Sequence, residues 1–178
     1  MNRPADQCTD LDYLRRAYIN ARDISDDPAT QNGSVLVPTR YPEHMMVYGA
    51  NKLPRGITIP KKTIAPWPKA KKYRWMCHAE RAAIDMAACR GIPTFEATLY
   101  CPWFACTDCA RAIIESGITR VVGHKQIRDK LHPTWMEEIE EADVMLDQAG
   151  VQREYLDADL FDSDPVYAVL FRGELWIP

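Results

Sequence analysis

Two short clusters hold the residue types best suited to chemistry: Cys77-His78-Ala79-Glu80 and Ala105-Cys106-Thr107-Asp108-Cys109. Two thiolates and one imidazole make a good zinc set, leaving the fourth tetrahedral position open for water. The C-x-x-C spacing of Cys106 and Cys109 places both sulfurs on one side of a single helical turn. Each cluster opens a predicted helix, where the positive end of the backbone dipole favours thiolates. Glu80, two residues beyond His78, is left for another role. A carboxylate beside metal-activated water can take its proton and pass it on to substrate. A lone C-x-x-C is a weak signal and a lone His-x-Glu a weaker one. Together, in this order and each at a helix start, they point to a catalytic zinc site rather than a structural one.

The elements that must position these clusters follow from periodicity. Apolar residues at Leu11, Leu14, Ala17, Tyr18 and Ala21 predict a helix over 11–22, with Thr9 or Asp10 as N-cap. Residues 34–38 and 45–48 read as two short strands joined by a turn near Tyr41 and Pro42. The stretch 51–72, with four prolines and no sustained period, reads as a long loop of the kind that often carries function. A regular alternation follows: helix 79–89, strand 97–101, helix 107–116, strand 118–122, helix 134–148 and strand 151–155. Gly91, Gly117 and Gly150 act as the helix stops. Helices alternating with strands predict an α/β sandwich whose later strands run parallel. Residues 157–164 read as a linker, and 165–177 as an added edge strand or a segment packed on the core. The expected organisation is a single domain over 1–178, with a core of about 11–156 and a C-terminal extension of about 157–178.

Composition sets outer bounds. The 178 residues are 47% hydrophobic and 26% charged, as in globular proteins. No apolar run reaches the roughly 18–20 residues of a membrane helix. Residues 1–12 are polar, hold three acids and resemble neither a signal nor a transit peptide, so a cytoplasmic location is expected. Six cysteines in such a chain are read as metal ligands or buried thiols rather than disulfides. Cys8, Cys77, Cys89 and Cys101, which lack metal spacing, are expected to be small buried hydrophobes. Charge is uneven. Residues 55–74 carry seven basic side chains and no carboxylate, whereas six acids fall between 137 and 147. The acidic run reads as a solvated face. The net charge of −3 weighs against a polynucleotide substrate.

The two clusters resemble those of the cytidine and deoxycytidylate deaminase superfamily. The resemblance covers roughly 11–151. Asp27-Pro28-Ala29-Thr30-Gln31-Asn32-Gly33 is similar to the segment before the first strand in deoxycytidylate deaminases. Gly49-Ala50-Asn51-Lys52-Leu53-Pro54-Arg55-Gly56 is similar to their loop after the second strand, and 110–122 to the helix and strand after the second cysteine. Pro133 and Trp135 are similar to a pair in the phage members. The resemblance implies a three-layer α-β-α sandwich around a mixed, roughly five-stranded sheet. It implies zinc on His78, Cys106 and Cys109, Glu80 as proton shuttle, Asn51 at the sugar, and the backbone near Ala79 and Phe104 at the base. It also implies a homo-oligomer. Two positions depart from the pattern: Ala105 stands where proline usually precedes the first cysteine, and Lys52 replaces a usual glycine. Regulation by deoxynucleoside triphosphates, tied to that second region in the family, is therefore not carried over.

The reaction so implied is hydrolytic deamination of deoxycytidylate to deoxyuridylate and ammonia. Trp103 and Phe104 could wall the base or pack as core. Lys71, Lys72 and Arg74 could offset a 5′-phosphate or form a solvated loop. His124 and His132 read as structural residues before pocket residues, and His44 carries no functional reading. A deaminase of another cytosine nucleotide or nucleoside, including 5-substituted ones, or of a tRNA adenosine, remains open. So does a different class, a non-catalytic nucleotide-binding module stabilised by zinc.

Overall fold

The computed structural model describes residues 8–39, 45–57, 72, 74–103, 105–130 and 133–178. Helix α1 (Asp10–Ile24) starts at Thr9, whose hydroxyl accepts the Asp12 N–H while the Asp12 carboxylate accepts the Thr9 N–H. This reciprocal capping box contributes about 1 kcal/mol. The helix turns Leu14, Ala17, Tyr18 and Ala21 into the protein, the face the sequence predicts.

Strands β1 (Gly33–Val37), β2 (Val47–Ala50), β3 (Thr98–Tyr100), β4 (Arg120–His124) and β5 (Gln152–Leu156) form one sheet in the order β2-β1-β3-β4-β5. Pairings of β1 with β2 and β3 are antiparallel, and those of β4 with β3 and β5 are parallel. Side-chain alternation divides the two faces. Val35, Tyr100 and Val122 meet Ala17 of α1 on one side. On the other, Leu36 and Leu99 pack beneath helices α2 (Ala79–Arg90), α3 (Thr107–Glu115) and α5 (Pro133–Gln148). The result is the expected α-β-α sandwich around a mixed five-stranded sheet.

Helices α2, α3 and α5 end in the same way. The N–H groups of Gly91, Gly117 and Gly150 and of the residue after each fold back on the last turn. All three glycines adopt positive φ, which the closing turn requires. At Gly117 this turn also takes up Ile118, whose N–H bonds the Ile113 carbonyl. Strand β4 consequently begins at Arg120, two residues later than the apolar run suggests.

Three further features differ from the sequence reading. A short helix α4 (Lys125–Asp129) follows β4 directly. Residues 157–164 are not a free linker, because Leu160 and Phe161 are buried against Leu14, Tyr18 and Ala21. For the last segment, packing on the core is the expectation the structure bears out, with no edge strand added to the main sheet. Instead β6 (Val169–Phe171) and β7 (Glu174–Trp176) pair with each other and cover α1. No disulfide joins the six cysteines, but Cys89 is exposed and Cys8 and Cys77 are only half-buried, against the expectation that all three are buried. The turn at Tyr41 and Pro42, most of the 51–72 loop, His44, Lys71, Phe104 and His132 lie outside the described residues.

Candidate active site

His78 is the N-cap of α2 and Cys106 the N-cap of α3, so two helix N-termini converge on one point. His78 Nδ1 lies 3.4 Å from Cys106 Sγ and 3.5 Å from Cys109 Sγ. A tetrahedral zinc with ordinary Zn–S and Zn–N bonds separates nitrogen from sulfur by about 3.5 Å. The three ligand atoms lie within 4.8 Å of one another, and no other such group occurs among the described residues. Donor chemistry and spacing therefore fit zinc. The two thiols are split: hydrogen bonds from Cys109 and His78 bring Cys106 down to about 4, a thiolate at neutral pH, while its bond to Cys106 and burial hold the Cys109 thiol well above the ordinary value.

Glu80, in the first turn of α2, is 2% exposed. Burial raises its carboxyl to about 7, partly opposed by the neighbouring His78. A carboxyl poised there can both accept and donate a proton under physiological conditions. The backbone beside it is held firmly. Ser34 Oγ donates to the Ala79 carbonyl at 2.7 Å, and the Ala79 N–H donates to Asn51 Oδ1 at 3.0 Å. Asn51 is thus brought to the site, with its side-chain oxygen committed to the start of α2.

Glu80 and His78 stand in a pocket walled by Trp103 and Trp135. Its polar side is made by the segment 27–32, whose residues reach the pocket through Asp27, Thr30 and Asn32. Asp27 is 5% exposed and caps its own turn, accepting the N–H groups of Ala29 and Thr30. The same oxygen meets Lys72 Nζ at 2.6 Å, so one cation of the basic run is anchored in the pocket. Sequence reasoning singled out neither the Asp27–Lys72 pair nor Asn32 as a pocket residue. The available signal was the Asp-Pro-x-Thr turn, which fixes where Asp27 points.

His124 belongs elsewhere. It is fully buried, with Nδ1 2.7 Å from Tyr18 Oη and Nε2 3.0 Å from the Ala158 carbonyl. Its ring also stacks on Trp176 under the C-terminal hairpin. The structural reading of this histidine is the one the fold bears out.

Residues 8–125 match the model of the cytidine and deoxycytidylate deaminase zinc-binding region. The chain belongs to this deaminase family. Deoxycytidylate deaminase from Mus musculus is 29% identical over 151 residues, covering 78% of this chain and 74% of that protein. An uncharacterized deaminase from Aliivibrio fischeri is 32% identical over 141 residues, covering 76% of this chain and 86% of the relative. Among solved structures, the dCMP deaminase of cyanophage S-TIM5 superposes with a TM-score of 0.60 at 20% identity. That match covers 83% of this chain and 96% of the phage protein, and it shows the shared fold. As a deaminase of this family the chain is a zinc-dependent hydrolase, with His78, Cys106 and Cys109 placed to hold the metal. No helix of the described residues is long and apolar enough to cross a membrane.

Proposed function

We propose that this protein hydrolyses deoxycytidylate to deoxyuridylate and ammonia. The observation that carries the reading is a buried acid, Glu80, next to a zinc-matched triad at one end of a pocket whose other side carries an anchored lysine. The names of the relatives support the substrate: several are deoxycytidylate deaminases, and the S-TIM5 enzyme has been solved with dCMP and dUMP.

Zinc bound by the triad supplies the Lewis acidity that makes water a competent nucleophile near neutral pH. Glu80 does the proton work. Its carboxylate takes a proton from the water attacking C4 and delivers one to ring N3. It then passes a second to the amine, which leaves as ammonia while the water oxygen becomes the C4 carbonyl. Trp103 and Trp135 exclude solvent from this exchange, and Ala79, its N–H held by Asn51, is assigned to the base by family resemblance through the second lone pair of its carbonyl. Asn51 faces the sugar. Phe104, next to Trp103 in sequence, is assigned to the base wall by family resemblance. Lys72 supplies positive charge for the 5′-phosphate, held at the pocket by Asp27.

The same reading takes residues 1–178 as one working domain, acting as a homo-oligomer in the cytoplasm. Light scattering of the purified protein tests the assembly.

Ammonia release from deoxycytidylate, deoxycytidine, deoxycytidine triphosphate and 5-methyl-deoxycytidylate tests the activity. Turnover of the monophosphate is expected, falling by roughly 10²–10⁴-fold in Glu80→Ala with zinc retained. Silence on all four substrates by zinc-loaded protein would refute the assignment.

A further inference from the structure

Asn32 is a polar side chain, 5% exposed, that lines the pocket just before β1. Its Nδ2 donates to Cys101 Sγ at 3.3 Å, and its backbone carbonyl accepts the Asn51 N–H at 2.9 Å. Burial holds Cys101 as a neutral thiol, so this sulfur is a stable acceptor that fixes the amide plane. Among the described residues no donor reaches Asn32 Oδ1. Oδ1 is not among the polar atoms sealed from solvent, so it opens onto the pocket, where a ligand can supply the missing hydrogen bond.

The place of Asn32 indicates which donor that is. Side chains two apart on a strand share a face. Asn32 therefore lies on the same side as Ser34, whose hydroxyl holds Ala79 beside Glu80. In the other direction the chain runs back through Thr30 to Asp27 and its bound Lys72. Asn32 thus sits between the reacting end and the charged end of the pocket. In a pyrimidine nucleotide spanning those ends, the middle is the pentose. The phosphate, O2 and N3 accept hydrogen bonds, and the 4-amino group must face Glu80 to react. The donors left for a lone carbonyl are the sugar hydroxyls.

We propose that Asn32 is a specificity-determining residue whose Oδ1 accepts a hydrogen bond from a pentose hydroxyl of the nucleotide. This inference rests on the nucleotide reading of the pocket.

Product binding tests it without requiring turnover. Calorimetry would measure dUMP, UMP and 2′,3′-dideoxyuridine monophosphate against the zinc-loaded wild type and Asn32→Val. If the 3′-hydroxyl is the donor, the dideoxy product binds the wild type about tenfold more weakly than dUMP. In Asn32→Val that gap closes to within about twofold. If the 2′-hydroxyl is the donor, UMP binds the wild type more tightly than dUMP, and the variant loses that advantage. Identical ratios among the three nucleotides in both proteins would overturn the inference while leaving the deaminase reading intact. If none of the three binds the wild type, the nucleotide reading itself falls, and the inference with it. Should Asn32→Val fail to fold, a crystal structure of the wild type with dUMP decides the point. A sugar oxygen about 3 Å from Oδ1 supports the assignment, and a water or protein donor there refutes it.

Discussion

Gly49 lies directly beneath Ala79: a Cβ on Gly49 would sit 2.1 Å from the Ala79 carbonyl oxygen and 2.5 Å from the Ala83 nitrogen. The first turn of α2 thus rests on bare backbone of β2, and that turn carries His78 and Glu80. A side chain here would meet backbone atoms, which cannot rotate aside. Gly49→Ala is therefore expected to push the N-terminus of α2 off the sheet, costing roughly 1–3 kcal/mol of stability. Activity should fall by about 100-fold through displaced catalytic groups. Ser34→Ala removes only the hydroxyl bonded to the same carbonyl and should cost about 1 kcal/mol. Thermal unfolding and kcat/KM of the two variants side by side check the ranking. A Gly49→Ala protein as stable and active as wild type would contradict the close-approach argument.

Removing one soft donor should loosen the metal without collapsing the sheet. Cys109 is fully buried and starts the apolar face that α3 turns toward the core. Cys109→Ser keeps its volume but offers a poorer zinc ligand. Zinc content after dialysis, read by atomic emission, is expected to drop well below the wild-type value of about one ion per chain. Glu80→Ala should retain the full content, because its carboxylate is not among the three converging ligands. Equal zinc in wild type and Cys109→Ser would remove Cys109 from the ligand set.

Much of this arrangement was legible in the chain itself. The two helix starts, the three glycine stops and the apolar face of α1 each follow from local rules acting over a few residues, and the structure repeats them. The triad was legible because both halves carry their chemistry in fixed short spacings. What escaped depends on contacts distant in sequence. Residues 157–164 look like a linker because their apolar residues are few. Leu160 and Phe161 are buried only because α1 presents Leu14 and Tyr18 to them. Likewise, Asp27 and Lys72 are 45 positions apart, and nothing in either segment announces their pairing. Asn32 reads as an ordinary turn residue until the strand register sets it on the pocket side.

The histidine buried under the C-terminal hairpin should make stability sensitive to acid. With Nε2–H donating to Ala158 and Nδ1 accepting from Tyr18, His124 is neutral, and burial lowers its pKa below the ordinary 6.5. Unfolded chains then bind the extra proton more readily than folded ones, so stability rises with pH across this interval. The contribution is fully present above about 6.5 and is lost as pH falls through the lower folded value. Glu80 acts in the opposite sense, because its folded pKa lies above the unfolded one. Comparing wild type with His124→Gln cancels that shared contribution. The variant is expected to be less stable by roughly 1–3 kcal/mol at pH 8, with the difference shrinking toward pH 5. Urea titrations at several pH values provide the measurement. A difference independent of pH would mean that His124 is not held neutral.

The Asp27–Lys72 pair separates recognition of a phosphate from recognition of a base. Lys72 is mostly covered, and its ammonium is fixed by a carboxylate oxygen that also accepts two backbone N–H groups. A cation so held loses little freedom when a phosphate arrives, which favours a charge-assisted contact. Lys72→Met keeps the length and apolar stem of the side chain but removes the charge. It is expected to raise KM for deoxycytidylate by roughly 10–100-fold while leaving the slower turnover of deoxycytidine nearly unchanged. Asp27→Asn should weaken deoxycytidylate binding less, because the lysine charge remains and only its anchor is lost. Steady-state kinetics on both substrates distinguish these outcomes. If Lys72→Met lowers kcat/KM equally for nucleotide and nucleoside, the lysine supports the pocket wall and phosphate recognition lies elsewhere.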